Sequence, residues 1–356
     1  MEITQVLTAW YDINKRDLPW RKTRDPYRIW LSEIILQQTR VVQGLDYYHR
    51  FVEKFPTVNH LAGAAETDVL NLWQGLGYYT RARNMHKTAK VITSVFGGEF
   101  PDSYDKLLKL KGIGPYTASA IASIAFGKPI PVLDGNVARV VSRLFAITEP
   151  VNENSGKKLL TPLLEKLIDK TDPGKFNQAV MEFGALWCVP NNPQCEKCVL
   201  SSFCMAYSQK IVERLPVKTK KVKQRKRYFN YFVIRSAGND HRCICLRKRT
   251  EKDIWQGLYD FPVIETTAPA GEDEVLAMAA RKRFFNPDTA VIAEISGLYR
   301  HQLTHQLIFA RFFSVEAKGD LPDDNAHHYY CVAPDELNEY PLPRLIEKFL
   351  SKDHEF

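Results

Sequence analysis

Two acidic residues and four cysteines are where this 356-residue sequence offers chemistry. Asp134 stands in VLDGNVARVVSRLF, where an extended Val132-Leu133 runs through Asp134-Gly135-Asn136 into a helix, so its carboxylate is placed as an N-cap. Capping alone accounts for an aspartate there. The same placement predicts a low pKa and a standing negative charge, suited to stabilising a cationic sugar as a glycosidic bond breaks. Glu33 lies at the edge of an apolar helix stripe near Trp20, Trp30 and Leu36. Those neighbours partly desolvate a carboxyl and raise its pKa, so that it carries a proton near neutrality. In isolation a helical glutamate reads as a solvent-facing residue, so Glu33 gains meaning only from its surroundings.

Cys188, Cys195, Cys198 and Cys204 follow the order C-x6-C-x2-C-x5-C. Crowded into one window of a chain without a secretory pattern, they read as metal ligands rather than disulfides. Four thiolates at these intervals hold a [4Fe-4S] cluster or a tetrahedral zinc ion, and spacing alone leaves both open. Cys243, Cys245 and Cys331 read as free thiols.

These groups need a frame. From residue 1 to about 208, apolar residues recur at three and four with short Gly or Pro breaks, which predicts an all-helical domain. Asp25-Pro26 is a cap and first-turn pair. The helix after it carries Ile34, Val41, Leu45 and Tyr48 on one inward face, with Glu33 and Gln37 at its edge. Residues 104–126 resemble a helix-hairpin-helix: two short helices joined by Gly112-Ile113-Gly114, with Pro115 opening the second. Glycines let the backbone approach a phosphate, and free N–H groups at a helix start favour an anion. Such a hairpin positions a strand without reading bases, although a tight structural turn would use the same residues.

Residues 210–227 carry nine basic side chains against one acidic and read as a linker, either simply solvated or lying along phosphates. From Tyr228 apolar residues alternate, with a turn at Gly238-Asn239-Asp240 and a second strand through Cys243 and Cys245. Strands at 290–298 and 307–315 and helices at 272–285 and 342–350 complete an α+β domain. A formal charge of +8 suits a polyanionic partner. The start of the chain lacks a signal-peptide run, and the apolar stretch 121–133 is too short and too rich in Lys and Pro to span a bilayer.

Helix-hairpin-helix, then Asp134 eighteen residues after Tyr116, then four ordered cysteines, resembles the endonuclease III and MutY superfamily of DNA glycosylases. Within it, RDLPWRKTRDPYRIWLSEIILQQTRV at 16–41 is similar to the MutY-type adenine glycosylases. The resemblance implies that Glu33 is the general acid that protonates adenine N7, and that Asp134, supported by Asn136, stabilises the sugar cation. Tyr116 takes the position where bifunctional relatives keep a Schiff-base lysine, implying a glycosylase without strand cleavage. A bifunctional glycosylase and lyase is the alternative, with Lys109 and Lys111 nearby.

By the same resemblance Arg16, Trp20, Arg21, Leu36 and Gln178 line the adenine pocket. Gln38, Thr39, Tyr78, Lys111, Gly112 and Gly114 meet DNA, with Gln38 and Tyr78 as wedges. Cys188, Cys195, Cys198 and Cys204 then hold a [4Fe-4S] cluster that orders the loop 188–204. WQGLYDFP at 255–262 is similar to a MutT or Nudix strand, but the segment GEDEVLAMAARKRFF lacks the acidic metal-binding spacing, which argues against pyrophosphatase activity. Leu303-Thr304-His305 matches the Phe-Ser-His loop with which the family reads 8-oxoguanine; Thr304 keeps a hydroxyl and Leu303 replaces an aromatic ring. The expectation is a multidomain protein: an all-α glycosylase domain at 1–208, a linker at 209–227 and an α+β Nudix-like domain at 228–356. Its expected partner is duplex DNA bearing an A:8-oxoG or A:G mispair, met by a monomer in the bacterial cytoplasm, associated with the nucleoid and not with membrane.

Overall fold

The computed structural model describes residues 2–219, 224–237, 242–317 and 329–351. The turn expected at Gly238-Asn239-Asp240, and residues 220–223 of the basic run, lie outside the described residues. The chain divides into two compact units, one of residues 1–64 and 84–220, the other of residues 65–83 and 221–356. The division is therefore not linear. Residues 65–83 group with the C-terminal part, and the helical unit extends into the run expected to be linker, where Val151 N–H donates to Val217 O at 3.0 Å.

Helices α1 (Ile3–Asn14), α2 (Pro26–Ile35), α3 (Val41–Lys54) and α4 (Val58–Gly63) open the chain. Next come α5 (Glu66–Trp73), α6 (Thr80–Phe96), α7 (Tyr104–Leu108) and α8 (Pro115–Ile124). The series closes with α9 (Gly135–Leu144), α10 (Asn154–Leu167), α11 (Pro173–Leu186) and α12 (Met205–Ser208). Every residue of α8 from Thr117 to Ile124 is buried, the mark of a helix surrounded by others, and α2 and α11 pack against it. The hairpin forms as expected: Gly112 has φ +83°, and a Cβ there would lie 2.8 Å from Asn84 Cβ, so the turn needs glycine twice over.

Asp25 caps α2 by accepting the Tyr27 N–H at 2.9 Å. The helix does not continue through Tyr48 as the periodicity suggested. It stops at Ile35, and α3 restarts at Val41 after a turn in which Gln38 has φ +57°. The apolar spacing continues across the break because α3 folds back against the end of α2; a Cβ on Gly44 would come within 2.7 Å of Leu36 Cδ2.

The second unit is built on a sheet of β1 (Arg225–Ala237), β2 (Arg242–Lys248), β3 (Tyr259–Asp260), β4 (Val263–Thr266), β5 (Ala290–Ile295), β6 (Tyr299–Gln302), β7 (Gln306–Ala317) and β8 (Tyr329–Val332). Its central path runs β3-β2-β1-β7-β5, with β1 and β7 parallel and in register from Arg225↔Gln306 to Ser236↔Ala317. Alternate residues of β1 face opposite sides. Phe229, Tyr231 and Val233 pack with Phe312 and with Phe349 of α14 (Arg344–Leu350), whereas Phe232 and Ile234 pack with Val275 and Ala279 of α13 (Glu272–Arg281). A helix on each face of a mixed sheet is the expected α+β arrangement. One cysteine assignment is corrected: Cys243 and Cys331 form a disulfide between β2 and β8, with Cα atoms 5.5 Å apart, and Cys245 alone of the three is free. Pairing across 88 residues follows from sheet topology and leaves no local sequence signal.

Candidate active site

A solvent-open cleft in the helical unit gathers the expected catalytic and adenine-pocket residues. Glu33 comes from α2, Tyr116 from the start of α8, Asp134 and Asn136 from the start of α9, and Gln178 from α11. Arg16, Trp20 and Arg21 enter from the segment after α1, where residues Pro19–Arg21 make one 3-10 turn. Leu36, Gln38 and Thr39 reach it from the turn between α2 and α3.

Asp134 caps α9 as expected, accepting from Val137 N–H at 2.7 Å and from Asn136 Nδ2 at 3.1 Å. Its charge is not as cheap as the cap suggested. Burial raises its pKa above the ordinary aspartate value, against the opposing pull of the Val137 and Asn136 hydrogen bonds and the nearby Arg139. Glu33 shifts further. Burial pushes it up to about 7, the Tyr116 hydroxyl lowers it by hydrogen bonding, and the Asp134 charge raises it again. Asp134 thus has several donors to favour its anion while Glu33 has chiefly one. Burial raises both carboxyls, and the donors favour the anion more at Asp134 than at Glu33.

Glu182, which the sequence reading passed over, organises the wall beside them. It is 1% exposed and takes Arg16 Nε at 2.9 Å, Arg16 Nη2 at 2.6 Å, Arg21 Nη1 at 2.8 Å and Arg21 Nη2 at 2.5 Å. Burial opposes this charge, but the hydrogen bonds from Arg21 and Arg16 outweigh it and hold the carboxyl at about 2. The signal was present: Gln178 and Glu182 stand four apart on α11, a polar stripe on a helix otherwise fit for a core. Gln178 Oε1 accepts from Tyr11 Oη at 2.5 Å, which fixes the next side chain along.

Behind Asp134, Arg139 ties the cap to its support, donating to Asn136 Oδ1 at 3.0 Å, Gly184 O at 2.5 Å and Cys188 O at 2.7 Å. Helix α11 reaches this close because residue 184 is glycine; a Cβ there would lie 2.8 Å from Asn136 Cβ and 2.9 Å from Asn136 O.

Over residues 31–167 the sequence matches the profile of the HhH-GPD superfamily base excision DNA repair proteins, and over residues 230–352 that of the NUDIX domain. An adenine DNA glycosylase of Buchnera aphidicola subsp. Schizaphis graminum is 39% identical over 266 residues, which is 74% of this chain and 75% of that one. The chain belongs to the adenine DNA glycosylase family. The adenine DNA glycosylase of Arabidopsis thaliana is 32% identical over 411 residues, 98% of this chain and 63% of that one. A solved thermostable thymine-DNA glycosylase superposes with a TM-score of 0.54 at 31% identity, over 58% of this chain and 95% of that chain.

For a member of the adenine DNA glycosylase family, the remaining expected residues fall at three further places. Lys111, Gly112 and Gly114 form the hairpin turn, with Lys111 exposed and its carbonyl accepting from Thr88 Oγ1 at 2.7 Å. Tyr78 and Leu303-Thr304-His305 lie in the second unit. Tyr78 is 46% exposed with φ +49°, and its hydroxyl is hydrogen-bonded to that of Thr304. Leu303 packs partly onto the Phe312 face of the sheet, while Thr304 and His305 are exposed.

Cys188, Cys195, Cys198 and Cys204 all line one apolar pocket, together with Arg143 and Trp187. Among the described residues no three His, Cys, Asp or Glu side chains close on a point as a single metal ion requires. Arg143 is 2% exposed, and its partners are the carbonyls of Val189, Pro190, Val212 and Leu215 and the Cys188 sulfur, with no carboxylate among the described residues. The Trp187 indole N–H is buried there without an acceptor among the described residues. A buried cation without a counter-charge and a buried donor without an acceptor, both on a wall of thiols, fit an anionic group with sulfur acceptors.

Proposed function

We propose that this chain removes adenine mispaired with 8-oxoguanine, or less well with guanine, from duplex DNA, hydrolysing the N-glycosidic bond without cutting the strand, as a monomer on nucleoid DNA in the bacterial cytoplasm. The observation that carries this is Glu33 and Asp134 lining one cleft with Tyr116, both raised by burial but set among different hydrogen-bond donors. The target nucleotide leaves the stack and enters the cleft. Glu33 donates its proton to N7 of the base, the glycosidic electron pair leaves with the base, and the Asp134 carboxylate faces the sugar cation until water adds to it and returns a proton to the Glu33 carboxylate. Asn136 and Arg139 hold Asp134 in place. Tyr116 offers no amine for a Schiff base, which favours hydrolysis alone.

The four cysteines would hold a [4Fe-4S] cluster, whose contribution when bound is to order the loop 188–204. A single zinc would need four sulfurs at about 2.3 Å from one point, and the four thiols around this pocket suit a larger group better. In the second unit, Thr304 would read the lesion and Tyr78 would wedge beside it.

The test uses duplexes with one adenine opposite 8-oxoguanine, resolved with and without hot alkali. Breaks that need alkali are expected. Breaks without alkali would overturn the monofunctional reading, and no breaks under either condition would overturn the activity itself. Iron analysis of the purified protein should give about four iron atoms per chain; stoichiometric zinc instead would replace the cluster assignment.

A further inference from the structure

Residues 303–305 are the tip of the hairpin between β6 and β7, whose strands pair up to Gln302↔Leu307, with Leu303 N–H donating to Gln306 O at 2.8 Å. Hairpin tips ordinarily leave their outer carbonyls to water and owe their conformation to the turn alone. Here three consecutive carbonyls are taken by two consecutive residues, Gln224 and Arg225, at the start of β1. Gln224 Nε2 donates to Leu303 O at 2.8 Å and, at longer range, to Thr304 O at 3.4 Å, and Arg225 N–H donates to His305 O at 3.0 Å. Gln224 is the one uncharged polar residue in the stretch 220–227. Its amide nitrogen carries two donors and no charge, which suits two neighbouring carbonyls at a surface shared with basic side chains.

We propose that Gln224 is a positioning residue for the Leu303-Thr304-His305 loop, holding its backbone so that the Thr304 hydroxyl points where the base opposite adenine is discriminated. This rests on the reading of that loop as the 8-oxoguanine sensor. Register leaves the clamp little freedom, because β1 and β7 pair in parallel from Arg225↔Gln306 onward and a slip of one residue would turn Gln224 to the other face. On the opposite side Leu303 is held by the core. Between the two anchors, Thr304 and His305 stay exposed, with the Thr304 hydroxyl bonded to that of Tyr78.

The experiment compares single-turnover excision of adenine opposite 8-oxoguanine and opposite guanine in the full-length protein. Gln224→Glu keeps the shape but replaces the donors with oxygens that repel both carbonyls, and is expected to lower the ratio of the two rates about three- to tenfold. Excision opposite guanine and the thermal midpoint should stay at their parental values. Gln224→Lys restores donors and should restore the ratio, which a packing role would not do. If Gln224→Glu keeps the full ratio while Thr304→Val lowers it, the clamp is refuted and the sensor reading survives. If Gln224→Glu slows both reactions in proportion, the clamp is refuted as a positioning device. A parental enzyme that shows no preference between the two duplexes would bring down the sensor reading and the clamp together.

Discussion

The cleft of the helical unit and the hairpin tip of the second unit solve opposite problems. In the cleft, side chains from α2, α8, α9 and α11 converge, and burial shifts the acids from their ordinary titration. At the tip, Thr304 and His305 are exposed on one short turn, and order comes from backbone hydrogen bonds rather than desolvation. Proton transfer requires a low-dielectric setting that costs stability to build, whereas recognition requires reach into a neighbouring duplex. Changes in the cleft should therefore be severe and indifferent to the opposite base. Changes at the tip should be mild and depend on that base.

The largest effect is expected from Glu33→Gln, which should slow excision by roughly a thousandfold or more on either mispair while duplex binding persists. Turnover within tenfold of the parent in a single-turnover assay would break the contrast at its strong end. Next is Glu182→Ala, which strands two arginines against a buried wall and should lower unfolding free energy by on the order of 3 kcal/mol. Denaturant titration measures it, and an unchanged midpoint would make the Arg16 and Arg21 contacts incidental. Thr304→Val should cost about three- to tenfold opposite 8-oxoguanine and nothing opposite guanine; an equal loss on both would show that the tip does not discriminate.

The smallest effect is a displacement along the pH axis. If Glu33 acts in its protonated form, as proposed, excision should decline as pH rises through about 7. The Tyr116 hydroxyl lowers that pKa, so Tyr116→Phe should move the decline to higher pH. A pH-rate profile that shifts toward acid instead would reverse the assigned hydrogen bond.

What could be read from the sequence was local. The Asp25 and Asp134 caps, the Gly112-Ile113-Gly114 turn and the alternation of β1 each depend on a few adjacent residues whose conformational preferences agree. The cleft lining was legible as well, because its residues sit in motifs resembling known glycosylases. Partnerships across the fold were not. Glu182 meets Arg16 from 166 residues away, and nothing in either neighbourhood announces the other. The Asp134 pKa moved upward because enclosure by α8, α9 and α11 outweighs the cap, and enclosure is a tertiary property. The break between α2 and α3 was hidden because the folded-back helix continues the apolar spacing. In the basic run, Gln224 looked like one more solvated residue until the parallel pairing of β1 with β7 brought it to the hairpin tip.

Gly184 carries no side chain, yet Asn136 occupies the space that even one methyl group there would need. Substituting alanine would displace the start of α9 and with it the carboxylate of Asp134. A genetic screen for inactive protein should thus return position 184 beside 33 and 134, marking a site of disablement that a survey of chemically capable side chains would overlook.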